Sequence, residues 1–259
     1  MQLPLQFSIF AFILGTVVGS FLNVCICRLP EGKSIVSPPS ACPKCGQQIR
    51  WYENIPIISF LVLRAKCRSC SLPISWRYPL VEALNGLLTL LLFLKFGVSL
   101  SFLALFIFCS SLVVITFIDL DHQIIPDEIS LPGIVIGFLF AIFLPWNGWL
   151  GSLLGILLGG GSLFLVAWGY EKLTGKEGMG GGDIKLLAMM GAFLGWRSVL
   201  FIIFAASLIG SVIGITAMLV QKKDGKLAIP FGPFLAFGAI LYIFYGRQII
   251  FWYLSIGRL

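Results

Sequence analysis

Apolar stretches long enough to cross a bilayer dominate the chain. Seven run over residues 5–27, 80–95, 98–118, 129–145, 149–168, 197–219 and 230–246, with a shorter one over 186–195. A membrane helix needs about 20 apolar residues, since backbone groups left unpaired in lipid are too costly. The short segment either extends back over Asp183–Lys185 and spans, or is re-entrant. Only 11% of residues are charged, against about 25% in a soluble domain, which excludes an ordinary cytosolic protein and a disordered tail. No basic n-region precedes the first stretch and no A-x-A site follows it, so it reads as a retained helix rather than a cleaved signal peptide. The expected fold is an all-α polytopic membrane protein with about eight transmembrane helices.

Charge sets the expected orientation. Eight basic residues lie from Arg28 to Arg77, three (Lys172, Lys176, Lys185) flank a glycine cluster, and three (Lys222, Lys223, Lys226) follow the stretch 197–219. With eight spans these fourteen share one side, and only Lys95, Arg197, Arg247 and Arg258 take the other. The positive-inside rule makes the richer side cytoplasmic, with both termini outside. The net charge of +7 is then inside charge beside anionic lipid, and no nucleic-acid partner is needed to explain it.

Residues 28–79 form the one sizeable polar stretch. They carry Cys42-Pro-Lys-Cys45 and Cys67-Arg-Ser-Cys70. Each C-x2-C turn presents two thiolates, and two turns complete a closed tetrahedral sulfur site. Four soft thiolates suit structural zinc or, less often, an iron–sulfur cluster. Disulfides fit a reducing compartment poorly. A bound metal would supply folding energy that so small a module lacks. Cys25, Cys27 and Cys109 lie in or beside apolar segments and read as small buried hydrophobes.

Of the eleven acidic residues five are aspartates, and four of these sit at the ends of apolar segments. Asp119, Asp121 and Asp127 follow one; Asp183 precedes another, closing Gly178-Met-Gly-Gly-Gly182-Asp183. Carboxylates at the hydrocarbon edge are expensive without a purpose or a partner. Two brought together share a proton, so that one can activate water while the other protonates a carbonyl. That is amide hydrolysis without serine, histidine or metal, in a chain whose one histidine, His122, excludes H-E-x-x-H chemistry. The glycines allow positive φ or close approach to a ligand. The same pattern also admits a phosphate nest or an ion-coupled transporter with acids near helix breaks. Against the transporter, the acids lie at one surface and no inverted repeat is visible.

Together these segments resemble the bacterial type IV prepilin peptidases, the bifunctional leader peptidase/N-methyltransferases. The resemblance covers nearly the whole chain. It rests on Gly19-Ser-Phe-Leu-Asn23-Val24 with Arg28-Leu-Pro30, both cysteine pairs, Ile74-Ser-Trp-Arg77-Tyr-Pro-Leu-Val-Glu82, the D-x6-P run from Asp119 to Pro126, and Gly178–Leu187. It implies a membrane aspartyl endopeptidase with Asp119 and Asp183 as the catalytic pair. Asp121 and Asp127 remain alternatives or field-tuning neighbours. Lys185 pairs with a carboxylate or anchors at headgroups. Implied substrates are type IV prepilins and type II secretion pseudopilins at the cytoplasmic face of the bacterial inner membrane. The second implied activity is methylation of the new N-terminal amine by S-adenosylmethionine. Monofunctional relatives have a reduced 28–79 loop; here it is complete. Asn23, Arg28, Arg77 and Glu82 are candidates for the cofactor site, though Gly19 and Asn23 equally suit a helix-packing pair, and Arg77 and Glu82 an anchoring pair. The expected organisation is a first transmembrane helix over 1–27, a four-cysteine zinc module linked to methyl transfer over 28–79, and a peptidase domain over 80–259. The sequence leaves the oligomeric state open.

Overall fold

A computed structural model describes residues 5–175, 180–221 and 229–256. Its helices are α1 (Leu5–Arg28), α2 (Ile58–Val62), α3 (Arg77–Phe96), α4 (Leu100–His122), α5 (Asp127–Ala141), α6 (Gly148–Thr174), α7 (Gly181–Leu194), α8 (Trp196–Gln221) and α9 (Gly232–Ile256). Among the described residues no strand forms, only two isolated β-bridges. Among the described residues six helices (α1, α3, α4, α6, α8 and α9) are long and apolar enough to cross a membrane. The expected segments 129–145 and 186–195 form shorter helices, α5 with 15 residues and α7 with 14. At 1.5 Å per residue these span roughly 21–23 Å, short of the ~30 Å of hydrocarbon. Gly178 and Met179 of the glycine motif, and Lys176, Lys222, Lys223, Lys226 and Arg258 of the charge pattern, lie outside the described residues.

The chain divides into two compact units, Met1–Val114 and Ile115–Leu259. In the first, α1 packs along α3 through small residues. A Cβ on Gly19 would lie 2.7 Å from the Glu82 Cα, and one on Gly15 2.8 Å from the Gly86 Cα. Backbones this close make Gly19 a packing residue. A buried amide ties the pair together: Asn85 donates to the Gly15 carbonyl (2.8 Å) and accepts from Ser110 Oγ (3.0 Å). In lipid such groups must find partners within the protein.

The second unit is arranged around α7. Every residue from Leu186 to Leu194 is buried, so the helix is apolar all round, as a central helix must be. Gly155 and Gly159 of α6 and Gly191 of α7 bring the two backbones together, and a Cβ on any of them would strike backbone atoms of the facing helix. The last carbonyls of α7 are taken up inside the protein: Asn147 Nδ2 and Ser152 Oγ donate to Ala192 O at 3.0 and 2.8 Å. Trp146 Nε1 reaches Phe193 O at 3.4 Å. These donors take up the Ala192 and Phe193 carbonyls where so short a helix ends among apolar neighbours. Because backbone cannot yield, Gly191→Val should cost about 3 kcal/mol or more, seen as a lower unfolding midpoint in detergent; a midpoint equal to wild type would contradict the backbone contact.

Candidate active site and metal centre

Asp119 is the end-product of a long apolar helix. The helix α4 continues through His122, so Asp119 and Asp121 stand in its last turn rather than beyond it. Two positions apart on a helix, they point to nearly opposite faces. Asp119 is 5% exposed, whereas Asp121 and His122 lie open to the surroundings. The Gly232 N–H, at the start of α9, donates to Asp119 Oδ2 at 2.9 Å. A Cβ on residue 232 would sit 2.6 Å from the same oxygen, so only glycine leaves this carboxylate its place. Sequence reasoning missed Gly232: it lies 113 positions from Asp119. Its one sequence signal is Pro230-Phe-Gly232-Pro233 opening a helix.

Asp183 occupies the third position of α7, after the N-cap Gly180. There it complements the positive end of the helix dipole. Asp119 and Asp183 interact electrostatically, so the two acids named from the resemblance are brought together. The glycines act differently from expectation. None of Gly180, Gly181 and Gly182 takes positive φ. Among the described residues nothing lies within 4 Å of a Cβ built on Gly180 or Gly181, while a Cβ on Gly182 would lie 2.9 Å from Ile125 Cβ. Gly182 thus admits the 123–126 turn against α7, and with it the end of α4.

Asp127 is separately engaged. Lys185 Nζ bonds both of its oxygens at 2.7 Å, which resolves Lys185 as a carboxylate partner. This half-exposed pair contributes little stability, but it joins α5 to the first turn of α7 and leaves Asp127 already neutralised.

In the first unit the two cysteine turns share one geometry. The Cys42 N–H donates to Gln47 O and the Gly46 N–H to Cys42 O; the Cys67 N–H donates to Leu72 O and the Ser71 N–H to Cys67 O. Each turn closes with a β-bridge, Ala41 to Gln48 and Lys66 to Pro73. Gly46 and Ser71 both take positive φ. The sequence shows the repeat as Cys-x2-Cys-x3-Ile-x-Trp, ending at Trp51 and Trp76, with the copies 25 residues apart. Glu53, which follows the first copy, accepts from Arg68 of the second at 3.1 Å.

All four Sγ atoms lie within 4.8 Å of one another. Cys42 and Cys70 are 4.0 Å apart and unbridged. Four sulfurs around zinc would be about 3.8 Å apart, so the set fits a metal after slight contraction. Backbone N–H groups of Cys45 and then Lys44 pull the Cys42 thiol down to about 7. Cys70, though it accepts a bond from the Leu72 backbone, is pushed up to about 11 by desolvation and by Cys67, Cys45 and Cys42. One thiol readily ionises while another resists: a cluster short of positive charge, which a divalent cation supplies. Of the other cysteines, Cys25 and Cys109 are buried as expected, but Cys27 is exposed. It lies where α1 meets a cavity rather than a helix.

That cavity, of about 400 Å³, lies beside the cysteine turns and is lined by Asn23, Cys27, Arg28, Ile57, Tyr78 and Glu82 among others. Its size is in the range of small-molecule sites. Three of the four cofactor candidates therefore line one space; Arg77 does not line it. Arg28 has its guanidinium on the loop, donating to Ser34 O (2.9 Å) and Pro38 O (2.8 Å). Asn23 donates to Tyr78 O at 3.1 Å. Glu82 is 7% exposed and accepts from the Ile57 N–H at 2.7 Å.

Comparison with known proteins accounts for both halves. Residues 13–96 match the bacterial peptidase A24 N-terminal domain, and residues 106–215 match the type IV leader peptidase family. A protein named prepilin leader peptidase/N-methyltransferase from Stutzerimonas stutzeri is 39% identical, over 99% of this chain and 96% of that protein. Its counterpart from Pseudomonas aeruginosa is 38% identical, over 97% of this chain and 95% of that protein. One from Myxococcus xanthus is 44% identical over 85% of this chain, a match that spans 65% of that longer protein. No solved structure matches. Two domain matches in order, and two relatives aligned over 95% or more of their own length, place this multi-pass membrane protein in the type IV leader peptidase family.

Proposed function

We propose that this chain cleaves the leader from type IV prepilins and pseudopilins and then methylates the new N-terminus with S-adenosylmethionine. The observation that carries the first half is that Asp119 and Asp183 lie within electrostatic reach of each other, with Asp119 Oδ2 accepting from the Gly232 N–H. A dyad sharing one proton has a member ready to accept a proton from water. The resulting hydroxide attacks the scissile carbonyl. The protonated member donates to the carbonyl oxygen, and collapse of the tetrahedral centre returns a proton to the leaving nitrogen. Asp121 is exposed on another face and Asp127 is paired with Lys185, which supports Asp119 and Asp183 over these alternatives.

The second half is assigned to the unit Met1–Val114, and peptide cleavage to Ile115–Leu259. The set of four cysteines holds zinc in this reading, as four thiolates in tetrahedral reach favour it. The cavity lined by Asn23 and Glu82 takes S-adenosylmethionine, which supplies an electrophilic methyl group when bound. With α5 and α7 counted among eight spans, fourteen of the basic residues share one side, and the positive-inside rule supports placing the cysteine module and the aspartate-bearing helix ends at the cytoplasmic face.

Prepilin in liposomes, with leader release followed by mass, tests the peptidase reading; absence of release by a folded wild-type protein would refute it. Gly232→Ala refines it. The added methyl meets a rotatable side-chain oxygen rather than backbone, so the fold should survive while the carboxylate moves. Misplacing a reacting group by about 1 Å costs around 10²-fold, and cleavage by this variant should fall by about that factor at an unchanged unfolding midpoint. Wild-type turnover would show that the Gly232 contact is incidental.

A further inference from the structure

Glu82 is a buried carboxylate at the wall of the cavity with no cation beside it among the described residues. A buried carboxylate is costly unless something of opposite charge meets it. The other acid at this cavity, Glu53, is already held by Arg68 and by the Arg50 N–H. Glu82 is also deliberately oriented. Its Oε2 accepts from Ile57, a β-branched residue at φ 61°. Such residues rarely adopt that conformation, and strain of this kind collects at functional sites. The Gly19 backbone packs so close that a Cβ there would lie 2.7 Å from the Glu82 Cα, so the turn of α3 that carries the carboxylate has little room to shift toward α1. The two carboxylate oxygens offer about four acceptor positions, more than the bonds from Ile57 and Ser20 use, and the cavity is where a cationic ligand would take the rest.

Two cations enter methyl transfer, a sulfonium donor and a peptide α-ammonium. A sulfonium has no N–H to donate, whereas an ammonium has three, which a carboxylate oriented by a backbone bond is suited to accept. We infer that Glu82 receives the α-ammonium of the cleaved substrate in this cavity and takes its proton. The inference rests on the reading of the cavity as the methyl-transfer site. An α-amino group ordinarily titrates near 8, so at neutral pH it is mostly protonated and cannot attack. Glu82 accepts one proton from it. The freed nitrogen lone pair forms the N–C bond while the C–S bond of the sulfonium donor breaks, its electron pair staying on sulfur. The product is a secondary ammonium, and the proton on Glu82 passes to water at the mouth of the cavity.

The test compares binding of two pilin N-terminal peptides, one with a free amine and one N-acetylated, to wild type, Glu82→Gln and Glu82→Asp, without methyl donor. Wild type should prefer the free amine by about tenfold or more, Glu82→Gln should show no preference, and Glu82→Asp should keep part of it. Methyl transfer by Glu82→Gln to pre-cleaved pilin should rise with pH up to about 8, where the amine deprotonates unaided, while wild type stays nearly flat. Prepilin cleavage by the same preparations reports folding. A preference that survives Glu82→Gln, or an unchanged pH profile, would overturn the role of Glu82. Cross-linking of labelled S-adenosylmethionine to wild type tests the underlying reading separately: label outside Met1–Val114 would overturn the cavity assignment, whatever the peptides show.

Discussion

Asp119→Asn and Asp183→Asn should each lower leader release by about 10³-fold or more. General acid–base catalysis contributes roughly 10²–10⁴-fold, and in a dyad each acid serves both roles in turn, so the loss of either removes both. Asparagine is nearly isosteric and can still hydrogen-bond, and the Gly232 N–H can donate to its amide oxygen as it does to Asp119 Oδ2. The fold should therefore persist, with unfolding midpoints close to wild type. Leader mass measured over time checks the rate. Asp121→Asn should cleave within a few-fold of wild type, because its side chain is exposed on a different face. A dead Asp121→Asn beside an active Asp119→Asn would move the dyad.

Removing the metal should separate the two activities. The 29–76 loop contains two short cysteine turns, one α-helix of five residues and one buried apolar side chain, Phe60. Metal-linked folding free energy for such sites is roughly 10–16 kcal/mol, far more than this core supplies. A strong chelator, or Cys42→Ser, should reduce methyl transfer to pre-cleaved pilin by more than about 10²-fold. Cleavage should fall much less, since none of the cysteine turns belongs to the unit that holds Asp119 and Asp183. Metal content by mass spectrometry, set against both rates, checks this. Acid should act in the same direction. With the Cys70 thiol pushed up to about 11, binding a cation displaces its proton even at neutral pH. Below about 7 the Cys42 proton must be displaced as well, so metal affinity should fall more steeply there.

What the sequence disclosed followed the strength of its local signals. Helix positions were legible because apolar runs have to be helical in lipid. The cysteine site was legible because C-x2-C spacing dictates its own turn. The true lengths of α5 and α7 were not. Those helices end where Asn147, Ser152 and Trp146 take up carbonyls, a tertiary event with no local mark. The partnership of Asp127 with Lys185 was left open for the same reason, as it joins positions 58 apart. Gly232 shows the limit most clearly: its use is the space it leaves for Asp119. The cysteine repeat, by contrast, stood in the sequence in full and needed only comparison of the two copies. Cys27 was misjudged because an apolar neighbourhood in sequence said nothing of the cavity beside it.

The central claim is that Asp119 and Asp183 form a peptidase dyad, distinct from the site of methyl transfer. Asp183→Asn in liposomes, given full-length prepilin in one reaction and pre-cleaved pilin with labelled methyl donor in another, tests it most directly. The account predicts no leader release from the first and near-wild-type label transfer in the second. Leader release at the wild-type rate would contradict it.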